Sequence, residues 1–141
     1  MSVTGIGHVA LRCRNLEETV EFYGRLGIPV AFRMARVDGA PGEPVFLRVS
    51  PGSFLELFSG GTGEHDAHER EKARSGLVHV CLHVEDIQTF HAGVVKNSLA
   101  PNGVPKQGRG GNWSFTLTDP NGVGVEIIQL VPGTQMAEAA I

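Results

Sequence analysis

Several things are scarce in this chain, and each scarcity removes a class of protein. Of its 141 residues only two are cysteines, Cys13 and Cys81. They form no Cys-x-x-Cys motif and supply no disulfide framework. No apolar run approaches the roughly 20 residues needed to span a bilayer, and the opening MSVTGIG has none of the marks of a signal peptide. A net charge of −3 provides no basic footprint for nucleic acid or for an anionic membrane. The expectation is a cytoplasmic protein whose partners include neither. With 41% hydrophobic residues, residues 1–141 can build one compact domain with an ordinary core. Nineteen glycines and eight prolines point to many tight turns.

What the chain does have is one unit written twice. Gly5-Ile-Gly-His-Val-Ala-Leu11 recurs as Gly76-Leu-Val-His-Val-Cys-Leu82, with Gly, His, Val and Leu at matching places. Each copy is followed by a helix start. In NLEETVEFYGRLG, Asn15 is the N-cap and Glu18 stands three residues on, a capping-box arrangement. Leu16, Val20 and Tyr23 keep helical spacing and Gly27 ends the run. In DIQTFHAGVVKN, Asp86 is the N-cap, and Ile87, Phe90 and Val94 form one stripe that Gly93 weakens.

Short strands come next in both copies. PVFLRVS and FLELF flank Pro51-Gly52, while NWSFTLT and VGVEIIQ flank Asp119-Pro-Asn-Gly122. Turn residues between alternating apolar runs predict hairpins. Each half therefore reads strand, helix, then about three strands, an α+β chain of two βαβββ modules curving around a cleft with helices outside. The modules are residues 5–59 and 77–131, joined by the polar link 60–76. After Pro132 the tail is small and polar and is expected to be loosely held.

Alternation along the strands sorts the faces. Val9, Leu11 and Cys13 share one side and His8, Ala10 and Arg12 the other; Val80, Leu82 and Val84 oppose His79, Cys81 and His83. Leu55 and Leu57 take the helix side, leaving Phe54, Glu56 and Phe58 on the open face. Val125 and Ile127 do the same, leaving Gly124, Glu126 and Ile128. Two His and two Glu thus hold equivalent places in two similar halves. A carboxylate flanked by Phe and Leu is costly unless paired, and Glu56 acquires a reason if the four side chains converge on a cation.

Two imidazoles and two carboxylates form a mixed nitrogen–oxygen donor set. It suits one divalent transition ion, Ni, Zn, Co, Mn or Fe, better than the oxygen-only cages of Ca or Mg. Four protein ligands leave two octahedral positions open for water or a bidentate substrate. An ion so held can polarise a carbonyl while a ligand Glu that swings free acts as base. The expected chemistry is proton abstraction next to a carbonyl.

The repeated plan, with HVAL, LEETVEFYGRLGI, FLELF, HVCLHVEDI and DPNGVGVEIIQ, resembles the vicinal oxygen chelate superfamily from about Gly5 to Leu130. Within it the order His, Glu, His, Glu is similar to glyoxalase I, lactoylglutathione lyase. The resemblance implies His8, Glu56, His79 and Glu126 as metal ligands. It also implies Glu126 as catalytic base with Glu56 as its counterpart for the other substrate face, and Arg12 as a contact to glutathione. Two places depart from that pattern. Gly60 stands where glyoxalase I commonly has an Asn, and Arg109-Gly110-Gly111 stands for its Lys-Gly-Gly loop, one residue short. Arg109 retains the right shape to grip a substrate carboxylate. The implied function is a metal-dependent lyase or isomerase acting on a small carbonyl compound, with glutathione or another thiol as the co-substrate of a hemithioacetal.

The resemblance leaves rivals open. An epimerase of the methylmalonyl-CoA type uses similar proton abstraction but typically has Gln at the place of Glu56. A ring-cleaving dioxygenase uses two His and one carboxylate on Fe(II), and Glu56 would crowd it. A non-catalytic drug-binding resistance protein shares the fold without the ligands. Sheet edges in such small modules favour a homodimer. Ordinary structural roles are expected elsewhere: His65 and His68 solvated in the link, Cys81 a small buried residue, and Phe54, Phe58 and Trp113 core or pocket wall. His83 shares the open face with His79.

Overall fold

A computed structural model describes residues 1–63 and 76–140. The chain divides into two compact units, Met1–Glu64 and His65–Ile141. His65 and His68 lie outside the described residues.

In the first unit the order is β1 (His8–Arg12), α1 (Leu16–Arg25), β2 (Val30–Ala35), β3 (Pro41–Ser50) and β4 (Ser53–Phe58). The sheet runs β1-β4-β3-β2. β1 is parallel to β4, and the other pairs are antiparallel. The second unit repeats this with β5 (His79–His83), α2 (Ile87–Lys96), β6 (Lys106–Gln107), β7 (Trp113–Thr118) and β8 (Gly124–Gln129), ordered β5-β8-β7-β6. Each module is a four-stranded mixed sheet crossed by a helix, the βαβββ plan of the sequence.

Both helices start where their caps dictate. The Asn15 side chain accepts from the Glu18 amide at 3.1 Å. The Asp86 carboxylate accepts from the Gln88 and Thr89 amides at 3.0 and 3.1 Å, so the first-turn donors are satisfied. Helix α1 stops at Arg25, and Gly27 takes the left-handed conformation (φ 91°) that turns the chain toward β2. Helix α2 runs unbroken through Gly93. Its Val94 and Ile87 are buried, and that packing outweighs the propensity cost of one glycine.

The core of each unit lies between helix and sheet. Leu11, Val45, Leu47, Leu55 and Leu57 present one side of the first sheet to α1, whose Thr19 and Tyr23 are fully buried. Leu16 and Val20, which share helical spacing with Tyr23, are half-buried, because the sheet meets α1 along the Thr19–Tyr23 line. Glu17 of α1 and Arg33 of β2 form a two-pronged ion pair at 2.8 Å on that same side. In the second unit the His91 ring of α2 meets Phe115 edge-on at 4.9 Å. Among the described residues no buried side-chain nitrogen or oxygen lacks a hydrogen bond.

Two expectations need correction. The tail after Pro132 forms a short helix, α3 (Gln135–Ala139), capped by Thr134. The Asn112 side-chain oxygen anchors it by accepting from the Val131 amide at 2.8 Å and the Thr134 hydroxyl at 2.9 Å. This tether joins residues about twenty apart, which local composition does not reveal. Cys81 is exposed, not buried, because it lies on the sheet side away from α2.

Candidate functional site

The registers carry the candidate ligands to matching places. In β1 and β4, His8 lies opposite Phe54 and Ala10 opposite Glu56. In β5 and β8, His79 lies opposite Gly124 and Cys81 opposite Glu126. In both sheets the Glu therefore stands two residues beyond the partner of the His, a diagonal within reach of long side chains on one face. The contact forms both times. His8 Nε2 is 3.2 Å from Glu56 Oε2, and His79 Nε2 is 3.1 Å from Glu126 Oε2. Flanking residues Leu55, Leu57, Val125 and Ile127 are buried on the opposite side, so each pair faces away from its helix.

Glu126 owes its place to the turn before it. One oxygen of the buried Asp119 carboxylate accepts from the amides of Asn121 and Val123, both at 2.8 Å. The Asp119 amide donates back to the Val123 carbonyl at 2.9 Å, and Gly122 supplies the positive φ of 84°. This knot fixes the register of β8 against β7, in which Glu126 faces Thr116. A one-residue slip would turn Glu126 to the helix side.

Cys81 adjoins Glu126. Partial burial of its sulfur, then the Glu126 charge and a hydrogen bond to that carboxylate, push the thiol up to about 11. A neutral thiol donating to Glu126 is the state those causes favour.

Other candidates are placed differently. Arg12 donates to the Ser59 carbonyl at 3.0 Å and lies over the Phe58 ring at 5.6 Å, on the open face beside the Glu56 row. Gly60, the position of the missing Asn, leaves that guanidinium room: an added Cβ would come within 3.9 Å of Arg12 Nη1. Arg109 is exposed on the tight turn from Gly108 to Gly111. That turn precedes the end of β7 that pairs with Gln129, away from the Glu126 row. His83 is exposed, opposite Ile128, and Trp113 is half-buried. Phe54 and Phe58 are also half-buried, open-face residues and not core.

Among the described residues no three metal-donor side chains form one cluster; the donors come as two pairs, one per unit. Each pair suits a divalent ion. Donors about 2.1 Å from a metal at right angles lie about 3.0 Å apart, close to the two observed spacings. Alone, either pair is equally an ordinary His–Glu hydrogen bond.

Sequence reasoning missed two features on the first sheet's open face: the stacking of Phe32 on Phe46 at 4.5 Å and the place of Arg48 opposite Phe54. The alternation in PVFLRVS, with Val45 and Leu47 inward, was the available signal for Phe46 and Arg48.

Solved structures with the same fold span nearly the whole chain. Lactoylglutathione lyase from Agrobacterium tumefaciens matches with TM-score 0.65 at 20% identity, covering 92% of this chain and 96% of its own. A glyoxylase/bleomycin resistance protein/dioxygenase domain from Frankia sp. EAN1pec matches with TM-score 0.72 at 20% identity, covering 97% and 99%. A bleomycin-binding protein complexed with bleomycin matches with TM-score 0.65 at 21% identity, covering 92% and 100%. No curated protein sequence matches the chain. The sequence profile of one family extends over residues 5–127, and with the two βαβββ sheets it settles the lineage: the chain belongs to the Glyoxalase/Bleomycin resistance protein/Dioxygenase superfamily.

Proposed function

We propose that the protein is a metal-dependent lyase or isomerase of glyoxalase type, with His8, Glu56, His79 and Glu126 ligating one divalent transition ion. The supporting observation is the duplicated His–Glu contact, 3.2 Å in one unit and 3.1 Å in the other, at the same diagonal of the same parallel strand pair. One such pair is an ordinary strand-to-strand contact. Two in equivalent registers, each on the face away from the helix, are what a shared ligand set requires.

When bound, the ion would polarise the substrate carbonyl and stabilise negative charge on its oxygen. The protein's part is proton transfer. The Glu126 carboxylate takes the proton from the carbon next to the carbonyl and returns it to the carbonyl carbon, while the hydroxyl proton of the first carbon passes to the former carbonyl oxygen, and Glu56 serves the opposite substrate face. The change is an isomerisation and needs no oxidant. Cys81 stabilises the Glu126 carboxylate by donating to it. Arg12, open to solvent beside the Glu56 row, suits an anionic part of the substrate, which a thiol adduct such as a glutathione hemithioacetal would supply. A small-molecule carbonyl substrate and a homodimer complete the reading.

Chelator-treated protein reloaded separately with Ni, Co, Zn and Mn provides the test. One tightly held ion per chain is expected, lost in His79→Ala and in Glu56→Gln. Isomerisation of the methylglyoxal–glutathione hemithioacetal should appear on reloading and vanish in Glu126→Gln. Metal binding without turnover would retain the ligands and replace the substrate. Absence of metal binding would reduce both contacts to structural hydrogen bonds and refute the proposal.

A further inference from the structure

The open faces of the two sheets are chemically unlike, although their His–Glu pairs match. Around Glu126 the second sheet carries Ser114, Thr116 and Thr118, the partners of Ile128, Glu126 and Gly124. Asn102 donates to the Thr116 and Thr118 hydroxyls at 3.3 and 3.2 Å. This face is polar.

The first sheet's face is a phenylalanine wall. Phe32 and Phe46 stack with centroids 4.5 Å apart and planes within 14°. Phe54 meets them nearly edge-on at 6.4 and 6.0 Å, and the His8 ring meets Phe46 edge-on at 6.0 Å. Phe46 is the cross-strand partner of Glu56. The wall is not sealed, for Phe32 is 45% exposed.

A cation borders it. Arg48 lies opposite Phe54 and two residues beyond Phe46, on the same face. It is exposed, and among the described residues no carboxylate pairs with it. Arg33, one strand away, is by contrast fully engaged by Glu17 on the other side of the sheet. An unpaired guanidinium next to stacked rings is complementary to a molecule that is flat and apolar at one end and anionic at the other.

We propose that this face binds the substrate's body, and that the substrate is a carbonyl compound, free or as its thiol adduct, that carries an aromatic or similarly flat group and a carboxylate. Its ring packs on Phe32, Phe46 and Phe54, and its carboxylate pairs with Arg48. Bound so, it lies beside Glu56. The inference rests on the proposed function only in taking this occupant to be the substrate; the binding itself needs no metal.

The test therefore uses chelator-treated, full-length protein and three probes, 3-phenylpropanoate, 3-phenylpropanamide and propanoate, with Kd read by ligand-observed NMR. The aromatic acid should bind saturably, about ten-fold or more tighter than either other probe. Arg48→Gln should erase the preference for acid over amide. Phe46→Leu, which retains an apolar side chain and the fold, should weaken both aromatic probes about two- to ten-fold and leave their ratio unchanged. Equal binding of acid and amide by the unaltered protein would overturn the proposal, as would a preference that survives Arg48→Gln. Failure of the metal reading would show instead as absent metal uptake, with these titrations unchanged.

Discussion

Replacing Asp119 tests the turn that positions Glu126. The carboxylate receives two backbone amides at 2.8 Å in a nearly fully buried turn. Asp119→Ala leaves both amides without an acceptor. Each hydrogen bond to a charged group contributes about 1.5–3 kcal/mol. Water entering the vacated space recovers part of that, so the loss should be about 2–4 kcal/mol in all. With a urea m-value of about 2 kcal/mol/M, the midpoint should fall by about 1–2 M. Asp119→Asn retains an oxygen for both amides and loses the charge and the second oxygen, which accepts from the Asn121 side-chain amide at 3.3 Å. Its cost should be about 1 kcal/mol, a shift of about half a molar. Urea titrations followed by circular dichroism give both numbers. If the Ala variant unfolds within about 0.3 M of the unaltered protein, the turn does not hold β8. If Asn costs as much as Ala, the two backbone amides are not what the carboxylate contributes, and its charge and its bond to the Asn121 side chain are.

Other perturbations have equally definite outcomes. Gly61 sits where a Cβ would lie 2.9 Å from the Cys13 backbone carbon, so Gly61→Ala should cost about 1–3 kcal/mol and lower the melting temperature; an unchanged melting curve would refute that close approach. The Asp86 carboxyl is held below its ordinary value of 3.8, first by the Thr89 amide, then by the Thr89 hydroxyl, with the Gln88 amide adding to it. A depressed folded pKa gives stability that is present above pH 4 and lost as pH falls through the folded value. Asp86→Asn should therefore flatten the acid limb of a stability–pH profile below pH 4, and a profile of unchanged slope would remove the cap's role. In metal-free protein the Cys81 thiol, at about 11 against an ordinary 9.0, should carry about a hundred-fold less thiolate at pH 8 than an ordinary cysteine. Its reaction with a disulfide reagent should be correspondingly slow, and faster in Glu126→Gln; fast reaction in the unaltered protein would deny the Glu126 contact.

Local chemistry in the sequence determined a good deal. Asn15 and Asp86 followed by helical stripes, Pro51-Gly52 and Asp119-Pro-Asn-Gly122 between alternating runs, and the GxxHVxL repeat all act within a few residues, so they were readable in order along the chain. Alternation also told which side of each strand His8, Glu56, His79 and Glu126 occupy. What no local pattern contains is the partner of each strand. That β1 lies parallel to β4, with His8 opposite Phe54 and so diagonal to Glu56, depends on pairing residues 46 positions apart in sequence. Burial of Leu11, Leu55 and Leu57 on one face selects that register, since a shift of β4 by one would expose Leu55 and Leu57. The same long-range packing made Thr19 and Tyr23 the buried line of α1, tied the tail to Asn112, set Cys81 on the open face beside Glu126, and brought Phe32, Phe46 and Phe54 together beside Arg48. The sequence named the candidate ligands and their faces; tertiary pairing alone decided which of them touch, because hydrophobic burial acts on whole faces of a sheet and not on single residues.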